Sequence, residues 1–250
     1  MTQTPRETFV LDAVVTLVDS LLGDFDIVEL LTDLAEQCAQ LLDVDAAGLL
    51  LAGPTRHLRL MAATSEESRD LELFQLQADE GPCLDCYVTG QPISVSDLHA
   101  EQSRWPQFVA AATEAGFASV HVVPMRAAGI VLGALGLFGT HVGELNDSDL
   151  LVAQTLAHIA CVALLQEQPS TPATVVPRLQ TALADRVVVE QAKGFLHERL
   201  DVSMEDAFRL LRRYAHSSDQ HLTDVARRLI TEPDKRAPII AAIRELAPQS

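Results

Sequence analysis

Two clusters of side chains stand out as fit for chemistry. Arg186, Gln191, Lys193 and Gly194 lie close together in the C-terminal part, and Arg212, Arg213 and Tyr214 follow further on. Lys and Arg neutralise phosphates, Gln both donates to and accepts from base edges, Tyr gives a stacking plane, and a helix glycine lets a nucleic-acid backbone come close. The other cluster is Cys83-Leu84-Asp85-Cys86, a C-x-x-C spacing at the start of a short helix, where the helix dipole would lower a thiol pKa. With no second such pair and no H-x-x-x-H beside it, this points to thiol redox chemistry more than to zinc.

Each cluster also has a plainer reading. Arg186 and Glu190, at i, i+4, would make a solvated ion pair worth about 0.2–0.5 kcal/mol. Tyr214 beside a core stripe would be packing, and Cys83 and Cys86 would be buried and inert. Cys38 and Cys161 lie on apolar helix faces and read as small core residues. His99 and His121 are candidate ligands or satisfied structural residues. The chain has no G-x-x-x-x-G-K-[ST] phosphate loop, no H-E-x-x-H and no G-x-S-x-G, so an enzyme is not expected.

The basic cluster needs helices to position it. Leu196, Leu200, Met204, Ala207, Phe208 and Leu211 recur at helical spacing, interrupted at an Asp201–Ser203 turn, and Ser203 with Asp206 is a helix-start signal. In the helix so begun, Met204, Ala207, Phe208, Leu211 and Ala215 form a core stripe, while Arg209, Arg212, Arg213 and His216 form a basic ridge. A third helix turns Leu222, Val225, Ala226, Leu229 and Ile230 inward and leaves Arg227 and Arg228 outside. Three such helices can share one small core. Ile239, Ile240, Ile243 and Leu246 allow one more helix in the tail.

Upstream, the hydrophobic period changes repeatedly. Helices are expected over Glu7–Leu22 and from an Asp26 cap to Leu42, then strands at Ala46–Ala52 and from Leu58 to Ala62. Pro82 opens a short helix that Gly90 closes, a strand covers Pro92 to Val95, and Ser103–Gly116 is helical. Two strands around Ala128-Gly129 make a hairpin. A last helix, capped by Asp147 or Ser148, runs to Leu165. Helices at both ends of an antiparallel sheet give an α+β layer architecture. Three prolines in Gln166–Pro177 predict an extended link.

Charge is unevenly shared. Residues 1–174 hold 6 basic against 24 acidic side chains, while residues 175–250 hold 12 against 11. Contact with a polyanion is therefore expected on the C-terminal part alone. There is no run of about 18 uncharged apolar residues, no signal-peptide h-region, and there are four cysteines in 250 residues. These lead to an expectation of a cytoplasmic chain with no membrane partner.

At this point two families come into view. The run Ala184-Asp185-Arg186, Val189 to Leu196, Ser203 to Phe208, Leu210 to Ala215 and Leu222 with Asp224-Val225-Ala226 resembles the ANTAR module, the three-helix RNA-binding output domain of bacterial antitermination regulators. The segment Glu80 to Leu98, the Arg104-Trp105-Pro106 after it, Gly116 to Val120 with Pro124, and Leu132 to Leu137 are similar to GAF domains found ahead of ANTAR in actinobacterial proteins.

The resemblance implies a GAF-like antiparallel sheet flanked by helices and then a small all-α three-helix ANTAR domain. The boundaries expected are 1–168 for the GAF-like part with its N-terminal helices, 169–177 for the linker and 178–250 for the ANTAR part. It implies binding to paired hairpin loops in nascent mRNA through Arg186, Gln191, Lys193, Gly194, Arg212, Arg213 and Tyr214, with the GAF domain as input. The receiver domain usual in phosphorylated antiterminators is not expected in this sequence, so an input other than phospho-aspartate is implied. A homodimer is expected through Glu7–Leu22 and Asp147–Leu165, with a small molecule as the candidate GAF ligand and no cofactor or metal. The alternatives are a redox-responsive regulator using Cys83 and Cys86, and a protein-interaction module.

Overall fold

The computed structural model describes residues 9–10, 14–16, 25–53, 55–127, 129–165 and 172–246. Most of the expected Glu7–Leu22 helix lies outside the described residues; 9–10 and 14–16 are helical. The chain divides into two compact units between Gln180 and Thr181.

The first unit is built on a five-stranded antiparallel sheet of order β2-β1-β5-β4-β3, with β1 Ala46–Ala52, β2 Leu58–Ala63, β3 Ile93–Val95, β4 Ser119–Ala127 and β5 Ile130–Gly139. Strand alternation sends Leu50, Val120, Val122, Ala134 and Phe138 into one core together with Cys83, Trp105, Phe108 and Phe117. The helices on this face are α2 Glu66–Ala78, α3 Pro82–Thr89 and α4 Pro106–Glu114, and a 3-10 turn covers Leu98–Glu101. Helix α1, Ile27–Leu41, packs on β1 and β2, and α5, Asp147–Leu165, packs on β4 and on α1.

The caps follow from local chemistry. Asp26 accepts from the amides of Val28 and Glu29 and starts α1. Gly90, at φ 64°, ends α3 by donating its amide to Cys86. At α5 the cap is Asn146, whose side-chain oxygen accepts from the Asp149 amide at 3.0 Å, instead of the expected Asp147 or Ser148. Helix α5 is long and apolar enough to cross a membrane by length and composition, but it is packed against the sheet.

The second unit is helical. Helix α6, Pro172–Leu200, is followed by α7 Met204–Ser217, α8 Leu222–Thr231 and α9 Pro233–Leu246, which packs on both α7 and α8. The extended link expected at 169–177 is corrected: the chain is helical from Pro172, and residues 169–171 lie outside the described residues. Pro172 occupies a first-turn position that needs no amide, so only Pro177 forgoes a helix bond. The stripe on α7 is also shifted: Ala207, Leu210, Leu211 and Ala215 are buried, whereas Met204 and Phe208 stay partly exposed at its edge.

Candidate nucleic-acid interface

Helix α6 presents two faces. Ala182, Val189, Ala192 and Leu196 are buried, and Arg186 and Lys193 lie on the same side, each only 9% exposed. Their charges meet on one carboxylate, with Arg186 Nη2 at 2.5 Å and Lys193 Nζ at 3.0 Å from Glu190 Oε1. The Lys193 ammonium also sits 5.3 Å from the centre of the Phe208 ring on α7, a cation–π contact between the two helices. The solvated Arg186–Glu190 pair considered from the sequence is thus a three-residue network set largely into the packing.

Ala184, Val187 and Gln191 are exposed on the opposite face, and Gly194 is partly exposed beside them. Among the described residues, a Cβ on Gly194 would meet nothing within 4 Å. Glycine inside a helix costs about 1 kcal/mol relative to alanine, and here no described neighbour requires it. Gln191 and Gly194 are therefore brought together on an open surface, while Arg186 and Lys193 support that surface from behind.

The remaining cations are scattered over α7 and α8. Arg213 is exposed and donates to the Leu246 carbonyl at 3.0 Å. Arg212 and Tyr214 are half-buried, and Arg209 is exposed and paired with Asp206. Arg227, which the sequence placed outside, reaches Asp185 of α6 at 2.8 Å and Asp224 at 3.2 Å, tying α8 to α6.

The first unit holds a second polar cluster, buried under the sheet. Glu72, Gln75 and Cys83 have no exposure. Gln75 Nε2 donates to Glu72 Oε2 at 2.8 Å, Gln75 Oε1 accepts from the Cys83 amide at 3.0 Å, and the Cys83 thiol lies 3.5 Å from Glu72 Oε1. Burial pushes the Glu72 carboxyl up to about 8, against a partial lowering by Cys83. Burial, and then the Glu72 charge, raise the Cys83 thiol well above its ordinary value, and burial takes Cys86 to about 12. The lowered thiol pKa expected from the helix dipole is thereby corrected, because desolvation outweighs the dipole. All four cysteines are free and buried. Among the described residues no group of three or more His, Cys, Asp or Glu is placed to hold a metal ion. His121 is structural in its setting: it is buried, held below its usual pKa chiefly by desolvation, and its Nδ1 is 2.5 Å from Ser94 Oγ on the neighbouring strand.

Glu72 and Gln75 were missed in the sequence together with their helix. The available signal was Ser65 with Ser68, whose side chains and amides bond reciprocally as a capping box.

The family model of the GAF domain matches residues 26–164, more than half of the chain, and that of the ANTAR domain matches residues 178–230. The chain belongs to the GAF family and carries an ANTAR domain behind it. Such a GAF–ANTAR protein is a regulator, with a sensory domain placed before an RNA-binding output domain. Among solved structures, the GAF domain of a phosphoenolpyruvate-protein phosphotransferase from Coxiella burnetii is 15% identical, covering 64% of this chain and 95% of that one at a TM-score of 0.52. A further GAF domain structure is 16% identical, covering 63% and 88% at 0.51. Free methionine-R-sulfoxide reductase from Neisseria meningitidis, in complex with its substrate, is 17% identical, covering 74% and 96% at 0.49. For the two GAF domain structures, at these identities, the likeness is one of fold. No curated protein matches the chain.

Proposed function

We propose that this GAF–ANTAR protein is a cytoplasmic, non-enzymatic antitermination regulator whose output domain binds paired hairpin loops in nascent mRNA under control of the GAF domain. The reading rests chiefly on Gly194. It is a helix-interior glycine with open space before it, next to an exposed Gln191, where an RNA backbone and a loop base can approach together. Arg213, Arg212 and Tyr214 of α7 supply charge and a stacking plane, while Arg186 and Lys193 act as positioning residues through Glu190 and Phe208. Input passes from a small molecule or another signal at the GAF domain.

Two output domains on one frame raise the effective concentration of the second contact, which suits a target with two hairpins. A homodimer is supported by α5, where Leu151, Thr155, His158 and Val162 are all exposed at alternating four- and three-residue spacing, with Leu151 67% and Val162 41% exposed. The described part of the N-terminal stretch adds exposed Phe9 and Val15. Binding of a two-hairpin RNA by the folded protein, against each hairpin alone, tests the reading. Tighter binding of the pair is expected, and no binding of any of them would overturn it.

A further inference from the structure

Helix α9 lies beyond the ANTAR match, which ends at residue 230, yet it packs on both α7 and α8. Its fully buried anchor is narrow, with Ile240, Ala242 and Leu246 half-buried around it. Only Ile239 and Ile243 are buried, and Pro233, Asp234, Lys235, Ala237, Pro238, Ala241, Arg244 and Glu245 are exposed. Pro238, inside the helix, also removes one of its backbone donors.

Arginines also hold both ends. Near the N-terminus, Arg236 Nε donates to the Leu229 carbonyl at 2.7 Å and its Nη2 to that of Ile230, and the guanidinium lies 5.3 Å from the centre of the Phe195 ring. Phe195 is the neighbour of Gly194 on α6. At the C-terminus, Arg213 Nη1 donates to the Leu246 carbonyl at 3.0 Å. To Arg213 this carbonyl, a neutral dipole, is a weaker partner than an anion.

We infer that α9 is a C-terminal strap that occupies Arg213 with its carbonyl end and withholds it from RNA phosphate. The inference rests on the RNA-binding reading above and adds a regulation to it. A guanidinium bound to a neutral carbonyl gains a stronger, charge-assisted partner when a phosphate replaces it. The strap therefore sets a threshold: a phosphate that takes the Nη1 donor of Arg213 must displace the end of α9. Without the strap, Arg213 would meet phosphate directly and the RNA-facing surface would gain one cation.

The test uses the full chain with Ile243→Asp, which removes the better buried of the two anchors, and Arg236→Ala, which loosens the other end while leaving both isoleucines. The second variant serves if the first fails to fold by circular dichroism. The probe is an RNA of two identical stem-loops, titrated at several salt concentrations. Release of α9 is expected to tighten binding by about threefold or more and to steepen the dependence of log K on log salt by roughly one phosphate contact. Adding Arg213→Ala to either variant should abolish that gain. Binding by the wild type that folded variants leave unaltered or weaken overturns the strap alone. A gain that persists without Arg213 also overturns it. No binding by wild type or any variant overturns the RNA-binding reading and the strap with it.

Discussion

Gly48 on β1 stands opposite Gly136 on β5, and the space left by their two missing side chains is taken by the carboxyl of Glu72. A Cβ on Gly48 would come 2.6 Å from Glu72 Oε1, and one on Gly136 would come 2.8 Å from the same atom. The sheet is thus opened at one register position to admit a buried acid, and α2 is seated by that acid.

Gly48→Ala is accordingly expected to destabilise the first unit by about 1–3 kcal/mol through overpacking. The same substitution in a Glu72→Ala background should cost much less. A double-mutant cycle by denaturant unfolding measures the coupling; additive effects would contradict the account of the glycine pair.

Glu72 also predicts a pH dependence. Its folded pKa, about 8, stands above the ordinary 4.5 because of burial, so the native state holds a proton that the unfolded chain has lost between these values. Stability from this group is fully present below about pH 4.5 and is lost as pH rises towards about 8. Glu72→Gln should flatten the profile in that window, leaving the variant more stable than wild type above pH 8 by on the order of 5 kcal/mol. Parallel pH profiles for the two proteins would remove the claim.

The thiols should be inert in the folded protein. Cys83 and Cys86 are buried with raised pKa values, and it is the thiolate that reacts. Alkylation by iodoacetamide at pH 7.5 should be far slower than in denaturant, and RNA affinity should be equal in reduced and mildly oxidised protein. Fast native alkylation at Cys83, or oxidation that changes RNA affinity, would restore the redox alternative.

On α6 the two faces should separate in their effects. Lys193→Ala removes a charge from the Glu190 network and the contact with Phe208. Since Glu190 keeps some solvent access, a loss of about 1–2 kcal/mol of stability is expected. Gly194→Ala should instead raise stability by up to about 1 kcal/mol while weakening RNA binding. Thermal melts and RNA titrations of both variants check the division.

Much of this architecture was legible in the sequence because it followed hydrophobic period. Asp26, Pro82, Gly90 and Ser203 begin or end helices where the residue types require, and the central strands are short apolar runs. Helix α2 escaped because its buried face is Ser68, Leu71, Glu72 and Gln75, a stripe that polarity conceals from any hydrophobic pattern. Arg186 and Lys193 look like surface charges in the sequence for the same reason, although they share the inward period of Val189 and Leu196. Composition suggested that Pro172 and Pro177 break the chain, but the first of them falls where a helix tolerates proline. The tail isoleucines, by contrast, did mark α9.

The most direct test of the account is the affinity of wild type and Gly194→Ala for a two-hairpin RNA, titrated across a salt series. The account predicts that wild type binds the pair more tightly than either hairpin alone, that affinity falls with salt, and that Gly194→Ala, though folded, binds less well. Folded wild-type protein that binds none of these RNAs at low salt would contradict it.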